Sequence, residues 1–156
     1  MKNHWKPIAL AAALVATGGI AKAEPVFAGQ KPSMYPGYIT ENLAETRAFF
    51  IEKLGFTPVF ESEWFALLKL EHNQIGLMKP EQAGQAPVFR KAYSGNGAWI
   101  TFDMPDVDLV YARAKAAGLD IIVDIRDEPW GERHFSVVAP GGLALDFVTY
   151  KGPLAE

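Results

Sequence analysis

The chain has 156 residues, of which 15 are lysine or arginine and 18 are acidic, giving a formal charge of −3, and 49% of its residues are apolar. This length predicts one domain with a hydrophobic core, and the mildly acidic balance disfavours nucleic acid as a partner. The chain contains no cysteine, which excludes disulfides, cysteine nucleophiles and cysteine-ligated zinc.

Residues 1–23 have the features of a Sec-type signal peptide. Lys2 and Lys6 form a positive start, Ile8–Ile20 is an apolar run, and Ala21-Lys22-Ala23 is a small-x-small cleavage site. The run is too short for a membrane span and no stop-transfer charges come after it, although an uncleaved N-terminal anchor is the alternative. Cleavage after Ala23 removes three lysines and no acid, which changes the formal charge from −3 to −6. We therefore expect a periplasmic or secreted protein with no membrane span after cleavage.

An extended leader over residues 24–33 precedes the first set of predicted elements. Asn42 is a candidate helix N-cap, Glu45 occupies the capping-box position three residues later, and Gly55 lies where a glycine ends a helix. The pattern predicts a strand over 34–40, a helix over 43–54, and strands over 56–60, 64–70 and 75–78.

The segment over residues 81–97 is rich in Pro, Gln, Ala, Gly and Ser. It is either a linker or a loop over the functional site, with Phe89 and Tyr93 as candidate lid residues. The alternative is a surface loop that is anchored by these two aromatic side chains.

The same order of elements is then predicted a second time. A strand over 98–103 precedes the N-cap Asp106, a helix over 107–117, Gly118, a strand over 121–125 and a turn over 126–128. The N-cap and the closing glycine are 13 positions apart in the first half (42 to 55) and 12 in the second (106 to 118). We therefore predict an α+β fold in which two paired βαβββ modules, 34–80 and 98–150, form a curved, half-open sheet around a cavity, with a tail at 151–156.

The closing hairpin carries the most informative chemistry. Phe135 and Val137 alternate with His134 and Ser136, so the apolar pair is expected under a helix and the polar pair toward the cavity. Pro140-Gly141-Gly142 is typical of a tight turn. Asp146 lies in an otherwise apolar strand, where burial is costly without a partner, so it is either paired in a cavity or exposed to solvent.

Several of these stretches resemble the vicinal-oxygen-chelate superfamily, which groups glyoxalase I, extradiol dioxygenases, fosfomycin resistance proteins and bleomycin-binding proteins. Thr40–Phe50 (TENLAETRAFF) with Leu54-Gly55-Phe56 is similar to its first half. Asp106-Val107-Asp108, Pro129-Trp130-Gly131 and Ala139-Pro140-Gly141-Gly142 resemble its second half. The resemblance extends from about Met34 to Tyr150, is specific for the fold, and favours the bleomycin-resistance-like branch.

The metal enzymes of this superfamily place ligands at four points, which fall on Tyr35, Gly76, Trp99 and Asp146. Only Asp146 is a usual ligand, and a stable divalent site needs several protein ligands. We therefore assign no metal-binding residues and expect no cofactor, with a divalent metal as an alternative only if ligands lie at other positions.

The candidate site residues are inferred from the resemblance and the strand pattern. His134 and Asp146 are candidates for acid–base chemistry, although a structural role for His134 is an equal alternative. A Ser136–His134–Asp146 triad is disfavoured because residues two apart on one strand lie about 7 Å apart. His72, in a predicted turn, is expected to be solvated. The candidate ligand-binding residues are Tyr35, Met78, Trp99, Trp130, Arg133 and Ser136.

Three functions remain open at this point. The first is an exported, metal-free, bleomycin-resistance-like protein that binds a small aromatic or planar molecule in an apolar cavity. The second is a glyoxalase-like lyase or isomerase that uses His134 and Asp146, with or without a divalent metal. The third is an exported interaction module without a small-molecule role. The resemblance also implies a homodimer in which the subunits share pockets.

Overall fold

The structure, a computed structural model, describes residues 25–152, so the predicted signal peptide lies outside the described part of the chain. The chain divides into two units between Ser33 and Met34. The described part of the first unit, residues 25–33, contains a turn over 26–29. The folded domain begins at Met34.

The first module of this domain forms a four-stranded mixed sheet with one helix. The strand order is β1-β4-β3-β2, with β1 parallel to β4 and the other pairs antiparallel. Its elements are β1 (Gly37–Ile39), α1 (Leu43–Ala48) with a π-helical continuation (Phe49–Lys53), β2 (Thr57–Glu61), β3 (Phe65–Leu70) and β4 (Asn73–Met78).

The second module repeats this arrangement. Its strand order is β5-β8-β7-β6, again with the first strand parallel to the last. Its elements are β5 (Trp99–Asp103), α2 (Val107–Ala116), β6 (Ile121–Asp127), β7 (Glu132–Val138) and β8 (Ala144–Tyr150). The segment between the modules contains a short 3₁₀ helix, Pro87–Phe89. The predicted α+β fold of two βαβββ modules is confirmed, and the described sheets do not close into a barrel.

Three local predictions are corrected by the structure. Asn42 precedes α1, but its side chain makes no capping bond; instead, the Thr40 hydroxyl accepts a hydrogen bond of 3.2 Å from the Asn42 backbone N–H. The first strand begins at Gly37 rather than at residue 34, because Pro36 has no N–H to donate to a ladder. The turn between β6 and β7 falls at residues 129–131 rather than 126–128, since β6 continues to Asp127.

The helices cover one face of each sheet and the two modules share one core. A chain of aromatic contacts passes from Phe50 to Phe56 (ring centroids 5.3 Å apart), on to Phe102 (6.4 Å), Phe147 (5.1 Å) and Phe135 (4.9 Å). This chain crosses from the first module to the second, so burial of these rings stabilises both modules together. Within residues 25–152, no helix packs on the opposite face of either sheet, which we call the open face.

Hydrogen bonds to the turn between β7 and β8 connect the second module to the first. The Tyr38 hydroxyl donates a hydrogen bond of 2.9 Å to the Pro140 carbonyl, which also accepts a longer one of 3.4 Å from Thr46. Gly141 and Gly142 both have positive φ, +88° and +94°, as the predicted glycine turn requires. In the described residues 25–152, no helix has the length and hydropathy to cross a membrane.

Candidate functional site

The open face of the second sheet carries a hydrogen-bonded cluster centred on Asp146. Its Oδ1 accepts a hydrogen bond of 2.7 Å from the Ser136 hydroxyl and lies 2.9 Å from His134 Nδ1. Ser136 and Asp146 are direct partners in the β7–β8 register, which explains why the three side chains meet. Phe135 and Val137 lie on the other face and are fully buried, so the predicted alternation is confirmed. Asp146 is thus paired, with its side chain 19% exposed.

Glu128 completes this cluster and was not predicted from the sequence. Its Oε1 lies 3.0 Å from His134 Nε2 and accepts a hydrogen bond of 2.5 Å from Arg126 Nε. Arg126 pairs with His134 in the β6–β7 register, which positions the end of β6 beside the imidazole. Both ring nitrogens of His134 therefore face carboxylates.

Burial and the neighbouring carboxylates shift the pKa of His134 in opposite directions. Burial alone would lower the pKa of His134, whose side chain is 12% exposed, but hydrogen bonds to Asp146 and Glu128 outweigh it and raise the pKa above its ordinary value. The hydrogen bond from Arg126 holds the pKa of Glu128 below its usual range, with a smaller contribution from His134. The cluster therefore favours an imidazolium held between two carboxylates.

This geometry limits the chemistry that the cluster can perform. Ser136 and His134 both bond to Asp146 rather than to each other, so they do not form a nucleophile–base pair. Both ring nitrogens of His134 contact carboxylates, so the imidazole holds Asp146 and Glu128 in place. Asp146 Oδ2 makes no hydrogen bond to another residue of the described chain, so this oxygen is left as an acceptor.

An aromatic cavity lies at the β5 edge of the same sheet. The Trp99 indole N–H donates a hydrogen bond of 3.0 Å to the Thr101 hydroxyl, and Thr101 pairs with Asp146 in the β5–β8 register. Trp99 is 68% exposed, and together with Tyr38 and Tyr93 it lines a cavity of about 260 Å³ at the junction of β1 and β5. A planar group in this cavity would meet three aromatic side chains.

The segment between the modules contributes to this cavity through Tyr93. Its backbone N–H donates 2.9 Å to the Ile39 carbonyl and its hydroxyl donates 2.9 Å to the Ala98 carbonyl. Its ring packs edge-on against Tyr38, with centroids 5.7 Å apart. Of the two candidate lid residues, Tyr93 is therefore an anchored part of the cavity wall, whereas Phe89 is exposed.

The remaining predicted residues lie elsewhere. Tyr35 precedes β1, with its ring against Gly76, and Met78 is the last residue of β4 in the first sheet. Trp130 is in the β6–β7 turn, is mostly exposed, and donates a hydrogen bond of 2.6 Å to Glu132. His72 is exposed in the β3–β4 turn, as predicted.

Arg133 is placed differently from our expectation. It lies on the α2 side of β7, opposite to His134, and forms ion pairs with Asp108 at 2.7 Å and Asp127 at 3.0 Å. The alternation of strand side chains causes this, because Arg133 and His134 are adjacent in sequence. The structure therefore does not bring Arg133, a predicted ligand-binding residue, to the Asp146 cluster.

The residues at the four metal positions of the superfamily do not fit a metal. A Cβ at Gly76 would lie 3.1 Å from the Tyr35 ring and 3.2 Å from the Phe65 ring, so aromatic rings fill the place of a ligating side chain. Trp99 has no ligating atom, and the nearest imidazole, His134, has both nitrogens engaged. Within residues 25–152, no three His, Asp or Glu side chains are grouped so that they could hold a metal ion.

A sequence profile described as "Glyoxalase/Bleomycin resistance protein/Dioxygenase superfamily" matches residues 34–147. The matched segment covers both βαβββ modules almost completely. The chain therefore belongs to this superfamily, as the resemblance implied.

Individual relatives agree with this assignment. The chain is similar to bleomycin resistance proteins of Geobacillus stearothermophilus and Staphylococcus aureus, each 26% identical over 121 residues that cover 72% of this chain and 92% of the relative. Among solved structures it is similar to a glyoxalase/bleomycin resistance protein/dioxygenase from Nocardioides, at 19% identity and a TM-score of 0.69, covering 80% of this chain and 87% of the other. A lactoylglutathione lyase from Agrobacterium tumefaciens matches at 18% identity and a TM-score of 0.64, covering 78% and 96%. At these identities the structures establish the shared fold.

Proposed function

We propose that this protein is an exported, metal-free binding protein for a small aromatic or planar molecule. The observation that carries the proposal is the cavity lined by Tyr38, Tyr93 and Trp99; the Trp99 indole lies on the same face of the second sheet as Asp146. Rings fill the space at Gly76 where metal enzymes of the superfamily have a ligand, which supports binding without a metal. Similarity to bleomycin resistance proteins favours a natural product as the ligand.

The aromatic cavity wall and the Asp146 carboxylate determine the proposed binding mode. The planar body of the ligand stacks on Trp99 and displaces water from the apolar cavity wall, which provides most of the affinity. A donor group of the ligand, extending from the cavity along the open face, bonds to the Asp146 carboxylate. His134 and Ser136 fix the orientation of the carboxylate and are positioning residues.

Replacing Trp99 with alanine is expected to weaken binding about 30-fold, as is typical for the loss of a central tryptophan contact. The measurement is calorimetric titration of a panel of planar aromatic compounds, including bleomycin-type glycopeptides, into the purified protein. Trp64→Ala is a size-matched control, because Trp64 is a partly exposed indole in the first module. Equal losses in the two variants, or none in Trp99→Ala, would contradict the assigned cavity.

A glyoxalase-like lyase or isomerase is the second candidate. The observation that favours it is the contact between His134 and Asp146, which has the geometry of an acid–base pair. Nickel, zinc, manganese and ferrous iron, titrated into chelator-treated protein, distinguish the candidates. We expect no tight binding of any of the four; one tightly held ion per chain would move the protein to the metal enzymes. Failure to bind either metals or planar compounds would favour the interaction module.

Export and dimerisation are further parts of the proposal. The signal peptide over residues 1–23 directs the protein to the periplasm or the exterior, and mass spectrometry of the exported chain should find Glu24 at its N-terminus.

In a homodimer, the aromatic open face of one first module can cover the Asp146 cluster of the partner subunit. Light scattering after size-exclusion chromatography should give twice the mass of the chain; a monomer that still binds ligand would remove the dimer from the proposal.

A further inference from the structure

A second cavity lies on the helix side of the domain, separate from the Asp146 cluster. It has a volume of about 280 Å³ and lies between the π-helical end of the first helix and α2. Its wall includes Phe56, Phe102 and Phe147, whose rings belong to the shared core, together with aliphatic side chains such as Leu54 and Val110. Phe147 points away from the face that carries Asp146, because the two residues are neighbours on β8.

The rim of this cavity is positively charged. Lys53 and Arg113 both line it, both are exposed, and no Asp or Glu is among the lining residues. The Lys53 ammonium donates a hydrogen bond of 2.9 Å to the Ala117 carbonyl at the end of α2, which holds it across the mouth and leaves two N–H groups for a ligand. Within residues 25–152, the Arg113 guanidinium is in neither an ion pair nor a side-chain hydrogen bond.

From this arrangement we infer that the helix-side cavity is a binding site for an apolar monocarboxylate, such as a medium-chain fatty acid. The aliphatic chain enters between the aromatic rings, where burial removes apolar surface from water on both sides. The carboxylate remains at the rim and accepts hydrogen bonds from Lys53 and Arg113, which are charge-assisted and therefore stronger than neutral ones. An ammonium group at the same position would meet two cations and no anion.

The side chains between this cavity and its neighbour limit the length of the ligand. A cavity of about 620 Å³ shares four lining residues with the first, so that a single layer of side chains separates the two. These residues are Phe56, Leu70, Phe102 and Met104. Affinity should rise roughly fourfold for each added methylene that is buried, and it should stop rising when the chain reaches this layer.

The test compares three ligands with one apolar body, namely octanoate, octanol and octylammonium, by calorimetric titration into the purified protein at low salt. Octanoate is expected to bind most tightly, and Arg113→Gln should weaken it about fivefold, as befits a partly exposed ion pair. Lys115→Gln is the matched control, because it removes one positive charge from the same helix outside the cavity, where Lys115 lies over the Tyr111 ring. Ala117→Leu, which adds bulk at the cavity wall, should weaken all three ligands.

The outcomes that overturn the inference are equally specific. If octylammonium or octanol binds as tightly as octanoate, Lys53 and Arg113 do not recognise the carboxylate. Equal effects of the Arg113 and Lys115 substitutions would lead to the same conclusion. Absence of octanoate binding would show that the cavity is only a packing gap between the helices. Trp99→Ala should leave octanoate binding unchanged. The octanoate test is therefore independent of the function proposed for the aromatic cavity.

Discussion

Gly141→Ala is expected to lower the free energy of unfolding by about 3 kcal/mol. Gly141 has a φ of +88°, in the left-handed region that an alanine adopts at a cost. An added Cβ would also lie 2.4 Å from the Tyr38 hydroxyl and 3.0 Å from Thr40 Oγ1. The substitution therefore strains the turn and pushes against the hydroxyl that donates to the Pro140 carbonyl, which connects the two modules.

Urea unfolding monitored by circular dichroism measures this loss. Gly84→Ala is the matched control, because Gly84 lies in a turn where an added Cβ meets no atom within 4 Å and its φ is not positive. We expect the control to stay within about 0.5 kcal/mol of the parent protein. A Gly141→Ala protein as stable as the control would show that the turn can move away from Tyr38 without weakening the connection between the modules.

Much of the fold was predictable because its signals are local. Asp106 caps α2 as predicted, its carboxylate accepting a hydrogen bond of 2.9 Å from the Leu109 backbone N–H. Gly55 and Gly118 end the two helices with positive φ, as their spacing from the N-caps indicated. Asn42 makes no side-chain capping bond, and its φ of −109° and ψ of 63° depart from the extended conformation of a usual N-cap. The Thr40 hydroxyl accepts a hydrogen bond from the Asn42 backbone N–H. The sequence does not state such backbone angles.

The candidate site was predictable only in the strands that alternate regularly. His134 and Ser136 were predicted on one face because β7 has an unbroken period of two, whereas the place of Asp146 was left open between a cavity and solvent. Glu128 was missed because β6 carries two register shifts against β7 and continues further than its apolar residues indicate. A bulge changes which residue faces the partner strand, so a pattern of period two loses its predictive value for the residues beyond the bulge.

The free energy of unfolding is expected to fall as the pH rises above about 6.5, because His134 then loses its proton. Its pKa is raised in the folded state above the ordinary value of 6.5, so the folded protein holds the proton more tightly than the unfolded chain. The stabilisation is fully present below the unfolded pKa and is lost as the pH rises through the folded pKa. The groups that face the imidazole are Asp146 on β8 and Glu128 after β6, with Arg126 bonded to Glu128.

His134→Gln should remove this pH dependence and lower the free energy of unfolding at pH 6 by about 2 kcal/mol, because two carboxylates then lose the charge between them. Urea unfolding at intervals from pH 5.5 to 8.5 measures both effects. His72→Gln is the matched control, since His72 is exposed in a turn and its loss should leave the pH profile unchanged. Equal pH profiles for the parent and His134→Gln would mean that His134 does not carry the proton.

Because the same imidazole orients Asp146, a planar ligand that bonds to Asp146 should bind more weakly to His134→Gln, whereas octanoate should bind unchanged.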